Sequence, residues 1–504
     1  MYPSRYTALW NSPYPASCAT GGTQPDWNKF NISTNANASF LGATIATLYK
    51  AGNLPTFSGM GPKGNCIDGD WNCTNVTSKY GGLPQLTNLS EHLIQLTLDI
   101  ERQIPDANWN GVANIDWEAW HPNFNSNKYD EYWIYVNKSE EIVLSQHPTW
   151  SPEQVTIEAE YQFNNASQKF WIETMRLCQK IRPHGVWGYY NYPVDSWDSS
   201  TQSDLSDTPL NWLYDEVTAL FPSIYLYKMN ATFNLNYIDR VMNQTRHVRS
   251  SRFARTGDLL PMYSFTWYDY DISFSKNPQT FLSPEDLVTE MIRGSMRWGL
   301  SGLIIWGASE DVETNTAMQC STNENSLYSY IENKLGPAVL EASIAANNCS
   351  KKRCSNRGTC WGDAAQGEKY CDCDKGFDGV DCSSSGGGLP TKRPTFKKPT
   401  LERPTLIRPT FTPTFTPTTA TSLPQLTTSN GKLTTSDGLF IPRGANYIRL
   451  NGSQGGTSPT TPMNPVYHST FSSTLFNVTQ AKALLTQLSL NGYNIVRVFI
   501  DHGD

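Results

Sequence analysis

The chain has no long apolar run of the roughly 20 residues that a membrane-spanning helix needs, so no span is expected. Positive charge is also short: 39 Lys and Arg against 46 Asp and Glu leave a net −7. No global field therefore favours nucleic acid, and a polyanionic ligand would have to be held by local Arg or Lys. Histidine numbers only 7, and no metal-ligand cluster, phosphate-cradling glycine loop or dinucleotide fingerprint is written, so neither metal nor cofactor is expected. The opening Met1-Tyr-Pro-Ser-Arg lacks the apolar core of a secretory leader. Two features outweigh that lack. There are 11 cysteines, and sequons recur at Asn31, Asn37, Asn75, Asn88, Asn137, Asn165, Asn230 and Asn243 among others. The expectation is a secreted or lysosomal/lumenal glycoprotein whose leader is missing from this sequence.

Aromatics are abundant, at 12% of the chain with 16 Trp and 25 Tyr, a load that suits carbohydrate clefts and large cores alike. With 504 residues, two or three domains are expected. Strand-like stretches (6–11, 42–49, 111–116, 186–193, 223–227, 259–267, 302–307) alternate with helical ones (from Ser90 to Pro105, 138–145, 152–182, 209–220, 236–249, 284–298). That alternation predicts an α/β fold, a distorted (β/α) TIM-like barrel over 1–340. Six cysteines then crowd into 345–383, a unit too small for a core without disulfides. Residues 384–435 repeat Pro-Thr units (RPTFK, KPTLE, RPTLI) and predict a stiff, disordered linker. Two strands flanking a helix (Val478 to Leu490) within 436–504 make only a fragment of another barrel, since two strands cannot close one. Of the remaining cysteines, Cys66 with Cys73 would close a local loop and Cys18 with Cys320 would tie the ends of the large domain. Cys178 is left as a buried free thiol.

The chemistry is most legible in Gly111 to Phe124, GVANIDWEAWHPNF. Residues two apart on a strand share a face, so Asp116 and Glu118 present two carboxylates together while Trp117 turns into packing. Strand C-terminal ends are where barrels carry their active sites. Neighbouring carboxylates resist ionising together, so one holds a proton near neutral pH, as a donor to a glycosidic oxygen must. A bare D-x-E is more often two solvated acids; Trp109, Trp117 and Trp120 around it favour a sugar site.

With IDWEAWHP, the segments VWGYYNYP, LNWLYDEVTALFPSIYL, FLSPEDL and SGLIIWG resemble the hyaluronidase family, glycoside hydrolase family 56, over roughly residues 5 to 382. The final cysteines resemble an EGF-like module, which implies pairing Cys349–Cys360, Cys354–Cys371 and Cys373–Cys382. Residues 436–504 resemble the start of a cellulase- or mannanase-like hydrolase. The resemblance implies Glu118 as general acid/base, Asp116 as the carboxylate that orients the substrate acetamido group, and Tyr190 and Tyr225 as its hydrogen-bonding partners. It further implies a cleft lined by Tyr49, His121, Arg240, Asp269 and Trp306, with Arg240 facing a glucuronate carboxylate. Family chemistry uses no enzymic nucleophile, because the substrate's own N-acetyl oxygen attacks the anomeric carbon. The sequence departs at His121, where the family usually carries Arg, which suggests a cation that titrates near neutral pH. It departs again between Val194 and Asn211, where the family's cysteine pair is absent. The implied activity is endo-β-N-acetylhexosaminidase action on hyaluronan or chondroitin. A catalytically idle glycosaminoglycan-binding or adhesion glycoprotein is the competing class. A chitinase-like hydrolase would need a D-x-x-D-x-D-x-E run that is not written here.

Overall fold

The computed structural model describes residues 6–14, 24–58, 76–128, 132–193, 210–227 and 231–270, then most of 281–307 and 322–385, and short strands between 427 and 498. The chain divides into two compact units, Met1–Arg393 and Pro394–Asp504. In the first, β1 (Thr7–Asn11), β2 (Ile32–Thr34), β3 (Ile45–Leu48), β4 (Val112–Ile115), β5 (Val186–Tyr189), β6 (Tyr263–Trp267) and β7 (Gly302–Trp306) form two parallel sheets. Their orders are β2-β1-β7-β6 and β3-β4-β5. Residues 220–224 join them, bridging Phe221 to Tyr190, Leu220 to Met262 and Ser223 to Phe265. On the other side Asn35 stands in for a ladder partner: its Nδ2 donates to the Ile45 carbonyl at 2.8 Å, and its Oδ1 accepts from the Thr44 and Ile45 amides at 3.0 and 3.2 Å. The parallel α/β barrel expected from the alternation is thus realised.

Why strands read the way they do follows from their two faces. Leu9, Ile45, Phe221, Phe265 and Ile304 form one buried cluster, joined by Val112, Val186, Tyr190, Tyr225, Tyr263 and Trp306. All share the parity that points to the lumen. Residues of opposite parity, such as Ala8, Trp10, Leu48, Ala113, Ile115, Leu303 and Ile305, join the larger cluster. Both faces being covered, the strands are mostly apolar on both sides and not alternating, with a few buried polar residues such as Asn11, Thr47 and Asn114.

Helix α1 (Leu89–Gln103) precedes β4, α2 (Trp133–Gln146) and α3 (Pro152–Ile181) precede β5, and α4 (Ala231–Thr256) precedes β6. The α1 cap is Asn88, whose side chain accepts from the Glu91 amide at 3.3 Å, and not Ser90. For α3, Ser151 and Gln154 form a reciprocal capping box with Pro152 in the first turn. The helix expected at 209–220 is only a turn, Asn211–Tyr214. Its continuation must extend, because Thr218 and Ala219 both donate to the Trp187 carbonyl at the barrel seam. Conversely, α4 is longer than its apolar pattern suggested.

Beyond the barrel, α5 (Gly336–Arg353) leads into an antiparallel hairpin, β8 (Gly358–Trp361) and β9 (Tyr370–Cys373). Disulfides join Cys349 to Cys360, Cys354 to Cys371 and Cys373 to Cys382. This cystine-rich segment docks on α4. Arg246 forms an ion pair with Asp372 at 2.9 Å, Arg249 pairs with the same carboxylate, and the Arg246 guanidinium lies 3.4 Å from the Trp361 ring centroid. Gly299, with φ of +82°, lets the chain pass this junction; a Cβ there would sit 3.1 Å from Trp361. Cys178 is free and buried. Cys18, Cys320, Cys66 and Cys73 lie outside the described residues, as does almost all of the Pro-Thr linker. In the second unit Gly444–Tyr447 pairs in parallel with Ile495–Val498, while the helix expected between them lies outside the described residues. No helix among the described residues is long and apolar enough to cross a membrane.

Candidate active site

The lumen-facing parity carries past the ends of the strands. Asp116 donates its amide to the Leu48 carbonyl at 3.1 Å and Tyr190 donates to Ile115 at 3.0 Å, extending the ladder one residue beyond β4 and β5. Tyr49, Asp116, Tyr190, Tyr225 and Trp306 therefore collect at one mouth, the C-terminal end of the sheet. Trp306 Nε1 donates to Tyr49 Oη at 3.0 Å. Trp306 stacks on Tyr225 (centroids 5.9 Å apart, planes at 20°), and Trp267 meets Trp306 edge-on at 5.2 Å. Tyr190 and Tyr225 are hydrogen-bonded to one another, and Ser223 bonds Tyr190 as well. Trp117, of opposite parity, packs outward against Phe170 at 5.4 Å and Trp171 at 5.5 Å. Behind it the His92 ring bonds Thr174 Oγ1 through Nε2 at 2.8 Å and accepts the Asn53 amide at Nδ1 at 2.9 Å.

Electrostatics single out the acid pair. Burial raises the pKa of Asp116, and the charge of Glu118 raises it further. Burial also raises Glu118. Coulomb repulsion acts on both partners, so the pair keeps one proton well above the ordinary carboxylate range. The Glu118 side chain is exposed, although protein crowds its carboxyl closely enough for burial to raise it, so it is not part of the core. Both charges reach the Tyr49 and Tyr190 hydroxyls, and that of Asp116 reaches Tyr225. Tyr49 is held up to about 12, chiefly by partial burial and then by Asp116, and stays a neutral hydroxyl. Chemically, the cluster offers one transferable proton, one carboxylate and neutral phenols around an aromatic wall.

The other expected cleft residues differ in placement. Arg240 lies on α4 with its guanidinium 5.5 Å from the Tyr237 ring, whose hydroxyl donates to the Ser223 carbonyl at 3.3 Å. Asp269 is buried and bridges Phe281, and its charge is felt by Tyr330. The expectation of a titrating cation at His121 is corrected: burial lowers this imidazole to about 4, and its ring packs on Tyr132 at 4.8 Å, so it is neutral through the physiological range. Among the described residues no group of three or more His, Cys, Asp or Glu is arranged to hold a metal ion.

The hyaluronidase family profile matches residues 2–385. The chain belongs to the hyaluronidase family. A chondroitin hydrolase of Caenorhabditis elegans is 29% identical over 403 residues, covering 76% of this chain and 81% of the relative. Hyaluronidase-2 of Mus musculus is 31% identical over 372 residues, covering 70% and 72%. Among solved structures, bee venom hyaluronidase in complex with a hyaluronic acid tetramer superposes with a TM-score of 0.56 at 27% identity, covering 67% of this chain and 99% of that one.

Three features of this hyaluronidase site escaped the sequence reading: Ser223 beside Tyr190, Trp267 behind Trp306, and a polar layer of Asn11, Thr47 and Asn114 beneath the acids. Parity was the available signal: Ser223, Trp267, Thr47 and Asn114 lie two residues from Tyr225, Asp269, Tyr49 and Asp116, and Asn11 lies two from lumen-facing Leu9.

Proposed function

We propose that this member of the hyaluronidase family is a secreted or lysosomal glycoprotein. It cuts the β-1,4 N-acetylhexosaminidic bonds of hyaluronan within the polymer. One observation carries the reading: a raised, proton-sharing carboxylate pair, with Glu118 exposed, stands beside neutral tyrosine hydroxyls and an aromatic wall. Glu118 gives its proton to the leaving glycosidic oxygen as the substrate's acetamido oxygen closes on the anomeric carbon. Asp116, ionised, accepts the acetamido N–H and stabilises the cationic ring intermediate, with Tyr190 and Tyr225 steering the same group. Glu118, now a carboxylate, takes a proton from water, which opens the ring and returns the anomeric configuration. Trp306 walls the acetamido pocket, and Arg240 meets a glucuronate carboxylate. The cystine-rich segment is assigned as an EGF-like module.

Glu118→Gln is the decisive variant. It should abolish depolymerisation of hyaluronan, followed by viscometry and product sizing, while binding is kept. Unchanged depolymerisation by the variant removes Glu118 from its role, whereas a wild-type chain that binds without cleaving leaves the idle-binder class standing. Likeness to a chondroitin hydrolase favours running unsulfated chondroitin beside hyaluronan. Faster cleavage of chondroitin would reassign the preferred polymer without changing the mechanism.

A further inference from the structure

Helix α3 turns a patterned face to solvent. Phe163, Ser167, Phe170 and Trp171 are buried on its inner side. Ser167 Oγ donates to the Pro122 carbonyl at 2.8 Å, and Asn164 Oδ1 accepts the Phe124 amide at 2.8 Å, which fixes the helix rotation. Residues 157, 161 and 165, four apart, then share the solvent side. Such a face is normally polar, yet Ile157 and Tyr161 stand there at 62% and 54% exposure. Asn165 is exposed as well, and neither its side-chain amide nor the Tyr161 hydroxyl has a hydrogen-bond partner among the described residues. Asn165-Ala166-Ser167 is a glycosylation sequon. Helical side chains lean toward the N-terminus and lie over the preceding turn. A group carried on Asn165 therefore leads out over Tyr161 and on toward Ile157.

We propose that Asn165 carries an N-linked glycan whose first sugars lie along α3 and cover Tyr161 and Ile157. The assignment rests on the secreted or lysosomal reading and deepens it, because the donor is a polyprenyl-diphosphate oligosaccharide of the secretory route. In the transfer, Asn165 Nδ2 bonds to the anomeric carbon of the donor's N-acetylglucosamine and gives up one proton as the polyprenyl diphosphate leaves. Tyr161 offers an aromatic ring to the first sugar, and Ile157 continues the apolar strip. Covering that strip closes an apolar patch that other chains would otherwise meet. The sequons at Asn88, Asn137 and Asn243 are set differently. Asn88 is committed to capping α1, Asn137 is half-buried, and the residue four before Asn243 is Asp239, ion-paired with Arg297.

The full chain is expressed behind a secretion leader in animal cells. Its peptides are mapped by mass spectrometry after amidase release in heavy-oxygen water, which leaves each formerly glycosylated asparagine as a labelled aspartate. Asn165 should carry the label, and Asn165→Gln should lose that mark alone. Label at Asn88 or Asn243 with Asn165 bare overturns the site, whereas no label at any sequon overturns the secretory reading and the site with it. Coverage is read by hydroxyl-radical footprinting of the folded protein. Oxidation of Tyr161 and Ile157 should rise about twofold or more in Asn165→Gln, while Leu144, exposed on α2, keeps its wild-type rate. Equal Tyr161 oxidation in the two proteins overturns the covering role. Should Asn165→Gln not fold, enzymatic removal of the glycan from folded wild type gives the same comparison, and an unmoved Tyr161 rate overturns the role there too.

Discussion

Asp372 joins the cystine-rich hairpin to α4, and its removal tests how much that joint contributes. Its carboxylate is only 12% exposed and faces Arg246 at 13% and Arg249 at 6%. Burial alone would raise its pKa, but hydrogen bonds from Arg246 and the charges of both guanidiniums pull it below the ordinary value. Asp372→Asn strips the charge and leaves two buried cations facing each other. Breaking a buried pair by removing one partner costs about 3–5 kcal/mol. Here the loss belongs at the low end, because Arg246 keeps the Trp298 carbonyl and the Trp361 ring while Arg249 keeps the Leu260 carbonyl. We expect about 3 kcal/mol and a fall in Tm of roughly 5 °C. The pH dependence has a definite sign. A depressed carboxylate contributes stability above its unfolded pKa of about 3.9, and that contribution is lost as pH falls through the lower folded value. The gap between wild type and Asp372→Asn, followed by thermal unfolding and urea titration, should hold at neutral pH and close in strong acid. A gap below about 1 kcal/mol at pH 7, or one that persists in strong acid, would falsify the account.

Three further outcomes follow from the site. His92 is buried beside Asp99, and burial lowers it to about 4, so the unfolded chain takes up a proton first as pH drops. Stability should decline between about pH 6.5 and 4 by about 3 kcal/mol, and unfolding of His92→Gln should lack that component; an equally steep decline in the variant would exclude His92 as its source. Tyr49→Phe removes the acceptor of the Trp306 indole, so KM for hyaluronan should rise about two- to tenfold with kcat little changed, and an unchanged KM would take Tyr49 out of the cleft wall. His121→Gln should leave the pH dependence of KM unaltered between about pH 5.5 and 8, since the buried imidazole carries no charge there; a profile that changes would restore the cation.

Much of this was legible in the one-dimensional pattern, for reasons that can be named. The D-W-E triplet already fixed which side chains share a face, and the structure sends Trp117 into the helix layer as that periodicity requires. Successive apolar stretches of strand length announced the parallel barrel. What was hidden depends on long-range partners. Nothing local distinguishes Val217–Leu220 from a helix end; it extends because β5 and β6 offer it carbonyls and amides. The state of His121 depends on burial by distant residues, which no neighbour in sequence reports. Asn11, Thr47 and Asn114 are unremarkable alone and become a unit only when three strands bring them to one oxygen.

The two-faced strands carry a corollary for how such a chain tolerates change. Each strand is two interleaved half-sequences, one addressed to the helices and one to the lumen. A substitution on the helix-facing set disturbs the scaffold and leaves the chemistry alone, while one among the lumen-facing residues nearest the mouth touches the site. Drift in polymer preference therefore has its own set of positions, open to revision without renegotiating the framework that holds them.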